Sequence, residues 1–131
     1  MKAVIIAGSQ SDEEFVKKIF NKLSEQHIEC HYFFASAHKQ PTKVLEILEQ
    51  FKHESIVYVT VAGMSNALSG FVAANSDKPT IACPPFKDQQ DMMVNIHSSL
   101  QMPSNVPAMT ILRPDNCALA IKRMFALVNH N

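Results

Sequence analysis

Five times along this chain a short apolar run ends in small or polar residues, and helical apolar spacing follows most of these breaks. The first run, Ala3-Val4-Ile5-Ile6-Ala7, is continuous rather than alternating, the pattern of a strand buried on both faces. The later runs are Cys30 to Ala35, the β-branched Ile56 to Val61, Thr80 to Cys83, and Ala108 to Leu112. Between and after them, apolar residues recur at helical spacing: Phe15, Val16, Ile19, Phe20 and Leu23; Val44, Leu45, Leu48 and Phe51; Met92, Met93, Ile96 and Leu100; then Leu119, Ile121, Met124, Phe125 and Leu127.

Strands alternating with helices through short connections predict an α/β fold with one parallel sheet covered on both faces. The expectation is a three-layer α/β/α sandwich, flavodoxin-like, with five strands in the order 2-1-3-4-5. No linker, low-complexity run or internal repeat interrupts the pattern, so a single domain over residues 1–131 is expected. Ser11, with Glu14 three residues on, reads as the N-cap of the first helix in a capping box. Pro41 suits a first helical turn, having no N–H to leave unpaired. Pro84-Pro85 stops the fourth strand, Phe86 to Gln90 reads as a polar loop, and Asp91 as the cap of a helix closing near Ser98-Ser99-Leu100. The last helix is expected from about Asn116 to Val128.

At 131 residues and 47% hydrophobic, the chain can bury a real core. Its 12 basic and 12 acidic residues cancel, against the strong phosphate attraction of a nucleic-acid binder. No apolar run nears the roughly 18 residues of a membrane helix, and the chain enters a strand at once, which argues against a targeting segment. Cys30, Cys83 and Cys117 are widely spaced and odd in number, as reduced thiols of a cytoplasmic protein would be. No His/Cys spacing suggests zinc, and no metal is expected.

The breaks hold nearly all the unusual residues. Gly8-Ser9-Gln10-Ser11-Asp12 joins a strand to a capped helix, where backbone N–H groups collect for an anion such as phosphate; a capped turn with no ligand has the same pattern. Ser36-Ala37-His38-Lys39-Gln40-Pro41 sets an imidazole, with an ordinary pKa of about 6.5, beside a cation at the mouth of a helix. The small residues around Gly63 suit either close approach of a ligand or tight helix packing. A parallel sheet lines all these turns along one edge, so one composite site is the economical reading.

Four segments in this order resemble the aminoimidazole ribonucleotide (AIR) carboxylase family of purine biosynthesis. They are Gly8-Ser9-Gln10-Ser11-Asp12, Ser36-Ala37-His38-Lys39, Ala62-Gly63-Met64-Ser65-Asn66-Ala67-Leu68-Ser69-Gly70 and Ser98-Ser99-Leu100-Gln101-Met102-Pro103-Ser104. With Cys83-Pro84-Pro85 between them, the match spans nearly the whole chain. Lys39 and Ser65-Asn66 resemble the branch using carbon dioxide directly (class II), rather than the mutase branch with its arginine and second histidine.

The resemblance implies that His38 is the general acid/base for the C4 proton. It implies that Gly8, Ser9, Ser11 and Asp12 hold the ribose phosphate end, with Lys39 neutralising the phosphate. Ser36, Ala37, Gly63, Ser65 and Asn66 would then face the ring and the carbon dioxide or carboxylate. It implies a ribonucleotide substrate, no cofactor, and a homo-oligomer, commonly an octamer. Met64 stands where this branch usually has arginine, Asn105 where a glycine is usual, and a further C-terminal helix common in the family has no counterpart. Asparagine tolerates left-handed geometry, so the turn at Asn105 is expected to survive. The carboxyaminoimidazole ribonucleotide mutase and a nucleotide-binding homologue without turnover are the alternatives, the last because Met64 replaces a charge.

Overall fold

The computed structural model describes residues 1–129. Five parallel strands, β1 (Lys2–Ala7), β2 (Glu29–Phe34), β3 (Ile56–Val61), β4 (Thr80–Ala82) and β5 (Ala108–Thr110), form one sheet in the order β2-β1-β3-β4-β5. The expected order and fold class hold. Six helices connect and follow them: α1 (Glu13–Glu25), α2 (Pro41–Gln50), α3 (Leu68–Ala74), α4 (Gln89–Asn95), α5 (His97–Leu100) and α6 (Pro114–Asn129).

Side-chain alternation along β1 and β3 divides the core into two layers. Ala3, Ile5, Ala7, Val57, Val59 and Val61 pack with Val16, Ile19 and Leu23 of α1 and Cys117, Ala118 and Ile121 of α6. Val4, Ile6, Ile56 and Tyr58 face the other way, against Val44, Ile47 and Leu48 of α2 and Leu68 and Val72 of α3. Both β1 and β3 are therefore covered on two sides, which is why their sequences carry no polar alternation. Edge strand β2 is instead half-exposed, with Glu29, His31 and Tyr32 open to solvent.

Several boundaries differ from expectation. Ser11 does not cap α1: a 3-10 turn, Gln10–Asp12, intervenes, and Ser9 caps it by accepting the Ser11 N–H at 3.2 Å. Its hydroxyl also lies 2.8 Å from that of Ser11, which links the serine pair across this turn. Asp91 does not cap α4; Asp88 does, accepting the Asp91 N–H at 2.8 Å, and the helix begins inside the expected loop. The helix through Leu100 is broken at Ile96 into α4 and α5. Helix α6 starts earlier than expected, at Pro114.

Among the described residues three non-glycine residues have left-handed backbone, and two of them, His27 and Asn105, lie away from the cleft. His27, φ 59°, ends α1 in a Schellman arrangement, its N–H bonded to Ser24 C=O and the Ile28 N–H to Leu23 C=O. Asn105 has φ 66°, the geometry expected of it. Among the described residues no helix is long and apolar enough to cross a membrane, and no group of His, Cys, Asp and Glu could hold a metal ion.

Candidate active site

Register brings the carboxyl ends of the central strands level: Ala7 pairs with Phe34 on one side and Val61 on the other. The chain runs outward from β1 to β2 and returns to β3, so its direction across the sheet reverses between β1 and β3. A crevice opens at such a switch point, beyond the strand ends. Here it is a cleft of about 530 Å³. Its lining includes Gly8, Ser9, Ser11 and Asp12 after β1, Ser36, Ala37 and His38 after β2, and Gly63, Met64 and Ser65 after β3.

Each turn is held by its own chemistry. The Gly8 N–H donates to Val61 C=O at 2.9 Å and ties the first turn to the sheet. In the second, the Lys39 N–H donates to Ser36 Oγ at 3.1 Å and the Gln40 N–H to Ser36 C=O at 2.7 Å, which puts exposed His38 on the crest. The third is strained: Met64 has φ 48° and is 77% exposed, a backbone that a bulky residue adopts only under constraint. Ser98 of α5 supplies that constraint. Its hydroxyl accepts the Asn66 N–H at 2.9 Å and lies 3.1 Å from Met64 C=O.

The two packing options for the glycines separate here. At Gly63 a Cβ would meet Pro85 only at 3.9 Å, so packing alone does not demand a glycine there. At Gly70 it would meet Met102 Sδ at 3.0 Å, so that glycine serves the packing of Met102 on α3.

Two expected site residues are not brought into the lining. Lys39 sits on the turn outside the cleft, while Asn66 points inward and is buried. Its Nδ2 donates to Ser99 Oγ at 2.8 Å and its Oδ1 accepts the Ser69 N–H at 3.1 Å. One donor and one acceptor of the Asn66 amide are thus taken by the protein's own α3 and α5.

A family model described as AIR carboxylase matches residues 2–131. The chain belongs to the AIR carboxylase family. The phosphoribosylaminoimidazole carboxylase of Archaeoglobus fulgidus is 53% identical over 127 residues, covering 97% of this chain and 70% of that protein. The enzyme of that name from Treponema denticola is 40% identical over 126 residues, covering 95% and 79% respectively. The crystal structure of Treponema denticola PurE matches with a TM-score of 0.88 at 39% identity, over 95% of this chain and 80% of that one.

Sequence reasoning missed three polar residues that this AIR carboxylase family member contributes from the loop after β4 and from α4: Lys87, Asp91 and Asn95. Asp91 accepts the Lys87 N–H at 2.9 Å and the Asn95 amide at 2.7 Å, and those two bonds hold its carboxyl below the usual range. Their one visible signal was Asp91 itself, read as a helix cap.

Asp12 behaves oppositely, since desolvation at the cleft pushes its pKa up. A carboxyl with a raised folded pKa is best accommodated protonated. Its stabilising balance is therefore present below the unfolded value, about 3.9, and is lost as pH rises through the folded value. Asp12→Asn should melt slightly higher than the parent protein at neutral pH, with the gain vanishing near pH 3. Thermal melts at the two pH values check this, and an equal gain at both would remove the desolvation account.

Proposed function

We propose that this chain is a phosphoribosylaminoimidazole carboxylase, adding carbon dioxide reversibly to C4 of aminoimidazole ribonucleotide to give the 4-carboxylate. The reading rests on one observation: His38, the Ser9–Ser11–Asp12 turn and the Gly63–Ser65 turn line a single cleft. The aminoimidazole ring is an enamine-like nucleophile at C4. Its electron pair attacks the carbon of carbon dioxide, forming a C–C bond and a tetrahedral C4 that keeps its hydrogen. His38 takes that proton, the C–H pair returns to the ring, and aromaticity is restored. In the reverse direction the imidazolium form of His38 protonates C4 and carbon dioxide leaves.

Ser9, Ser11 and the backbone donors of the first turn take the phosphate, and Asp12 accepts from a ribose hydroxyl. Ser36, Ala37, Gly63 and Ser65 border the ring and the carboxylate. The mutase reading is weakened at Asn66, which is buried and bonded to Ser69 and Ser99, so no second base follows Gly63. We further assign one catalytic domain over residues 1–131, working in the cytoplasm as a homo-oligomer. Exposed Met93, Val94 and Leu100 give such an assembly apolar surface to bury.

The direct test is a spectrophotometric assay with aminoimidazole ribonucleotide and bicarbonate, run in both directions without ATP. Turnover is expected. Ribonucleotide binding by calorimetry with no turnover would overturn the carboxylase reading, and activity on the N-carboxylated substrate alone would make it a mutase.

A further inference from the structure

The turn beside the expected carboxylate position is electrically neutral: Gly63, Met64 and Ser65 carry no charge. A carboxylate forming there, on a ligand that already bears a phosphate, calls for a cation that Lys39, outside the lining, does not bring. Among the described residues lining the cleft, Lys87 is the only lysine or arginine. It arrives from the loop after β4, two residues beyond Pro85, whose carbonyl oxygen and ring would lie 3.9 Å from a Cβ at Gly63. The loop carrying Lys87 thus packs against the Gly63 turn.

The loop is anchored while the ammonium group is left free. Lys87 N–H donates to Asp91 Oδ2, and the other oxygen of Asp91 takes the Asn95 amide. Among the described residues the Lys87 ammonium makes no ion pair, although Asp91 is charged and near. The backbone is fixed, and the flexible stem lets the charge reach into the cleft.

We infer that Lys87 is a specificity-determining residue, contacting the carboxylate of the carboxylated ribonucleotide from the loop after β4. This rests on the carboxylase reading above. A cation there favours the carboxylated ligand over the uncarboxylated one, because only the former carries a negative charge at C4. It also stabilises charge building on the oxygens of carbon dioxide as C4 attacks.

Two ligands that differ only at C4 decide the matter. The affinities of aminoimidazole ribonucleotide and of its 4-carboxylate are measured by calorimetry for the parent protein, Lys87→Gln and Lys87→Arg. Lys87 is exposed, so these variants should fold, and thermal melts verify it. Lys87→Gln should weaken the 4-carboxylate about tenfold, the size of one charge-assisted contact, with aminoimidazole ribonucleotide nearly unchanged and Lys87→Arg restoring most of the loss. Equal weakening of both ligands would put Lys87 on the shared phosphate and overturn the inference. No weakening of either would send the side chain to solvent and overturn it too. If the parent protein bound neither ligand, the carboxylase reading would fall and take this inference with it.

Discussion

His38→Asn should lower turnover in both directions by about a hundredfold or more, the usual contribution of a positioned general acid or base. Ribonucleotide affinity should stay within about threefold, roughly 0.65 kcal/mol. The turn carrying His38 is closed by Ser36, whose hydroxyl and carbonyl take the Lys39 and Gln40 N–H groups. The imidazole is exposed and, among the described residues, no bond from it holds the turn, so asparagine leaves the backbone as it was. What asparagine lacks is a group that can both take and return a proton at neutral pH. Single-turnover decarboxylation alongside calorimetry separates the two effects. Residual turnover within about tenfold of the parent, roughly 1.4 kcal/mol of barrier, would move the base elsewhere, with Asp12 the next carboxylate in the cleft.

The architecture was legible because burial on two faces leaves a continuous apolar trace. Strands β1 and β3 could be bounded to within a residue from Ala3–Ala7 and Ile56–Val61. Strand order followed from alternation with short crossovers. Helix starts were less legible, because Ser and Asp cap whichever turn the chain forms. Ser9 caps a 3-10 turn that a Ser-x-x-Glu pattern at Ser11 conceals, and Asp88 outcompetes Asp91 because Asp91 already holds the Lys87 N–H and Asn95.

In the site, the turns after β1, β2 and β3 stood out as small polar residues at strand ends, and the cleft does gather them. Lys39 was chosen for its adjacency to His38, yet adjacency in sequence does not place it among the residues lining the cleft. Lys87 gave no local signal, since its relevance comes from Pro85 lying against Gly63, contacts between segments 22 positions apart. Asn66 was read as a ligand group because it follows the Gly63 turn. Its amide is in fact engaged by Ser99 and Ser69, 33 and 3 positions away.

That arrangement makes Asn66→Ala the most damaging polar substitution expected near the site, at about 2–4 kcal/mol of stability. Two losses combine. The Ser69 N–H in the first turn of α3 loses its acceptor, a cap-like bond worth about 1 kcal/mol, and no side chain of Ala67 replaces it. The Ser99 hydroxyl, at 1% exposure, loses the donor it accepts, at about 1–3 kcal/mol for a buried group left unpaired. The Ser98 bonds to the Asn66 N–H and to Met64 C=O survive in alanine, so the strained Met64 turn keeps both tethers and the variant should still fold. Urea unfolding of Asn66→Ala, Ser99→Ala and the double variant tests the link. Since the two side chains bond each other, the double variant should cost clearly less than the sum of the singles. Strict additivity would mean that Asn66 and Ser99 act independently, and that the clamp from α5 to the Gly63 turn depends on the Ser98 bonds alone.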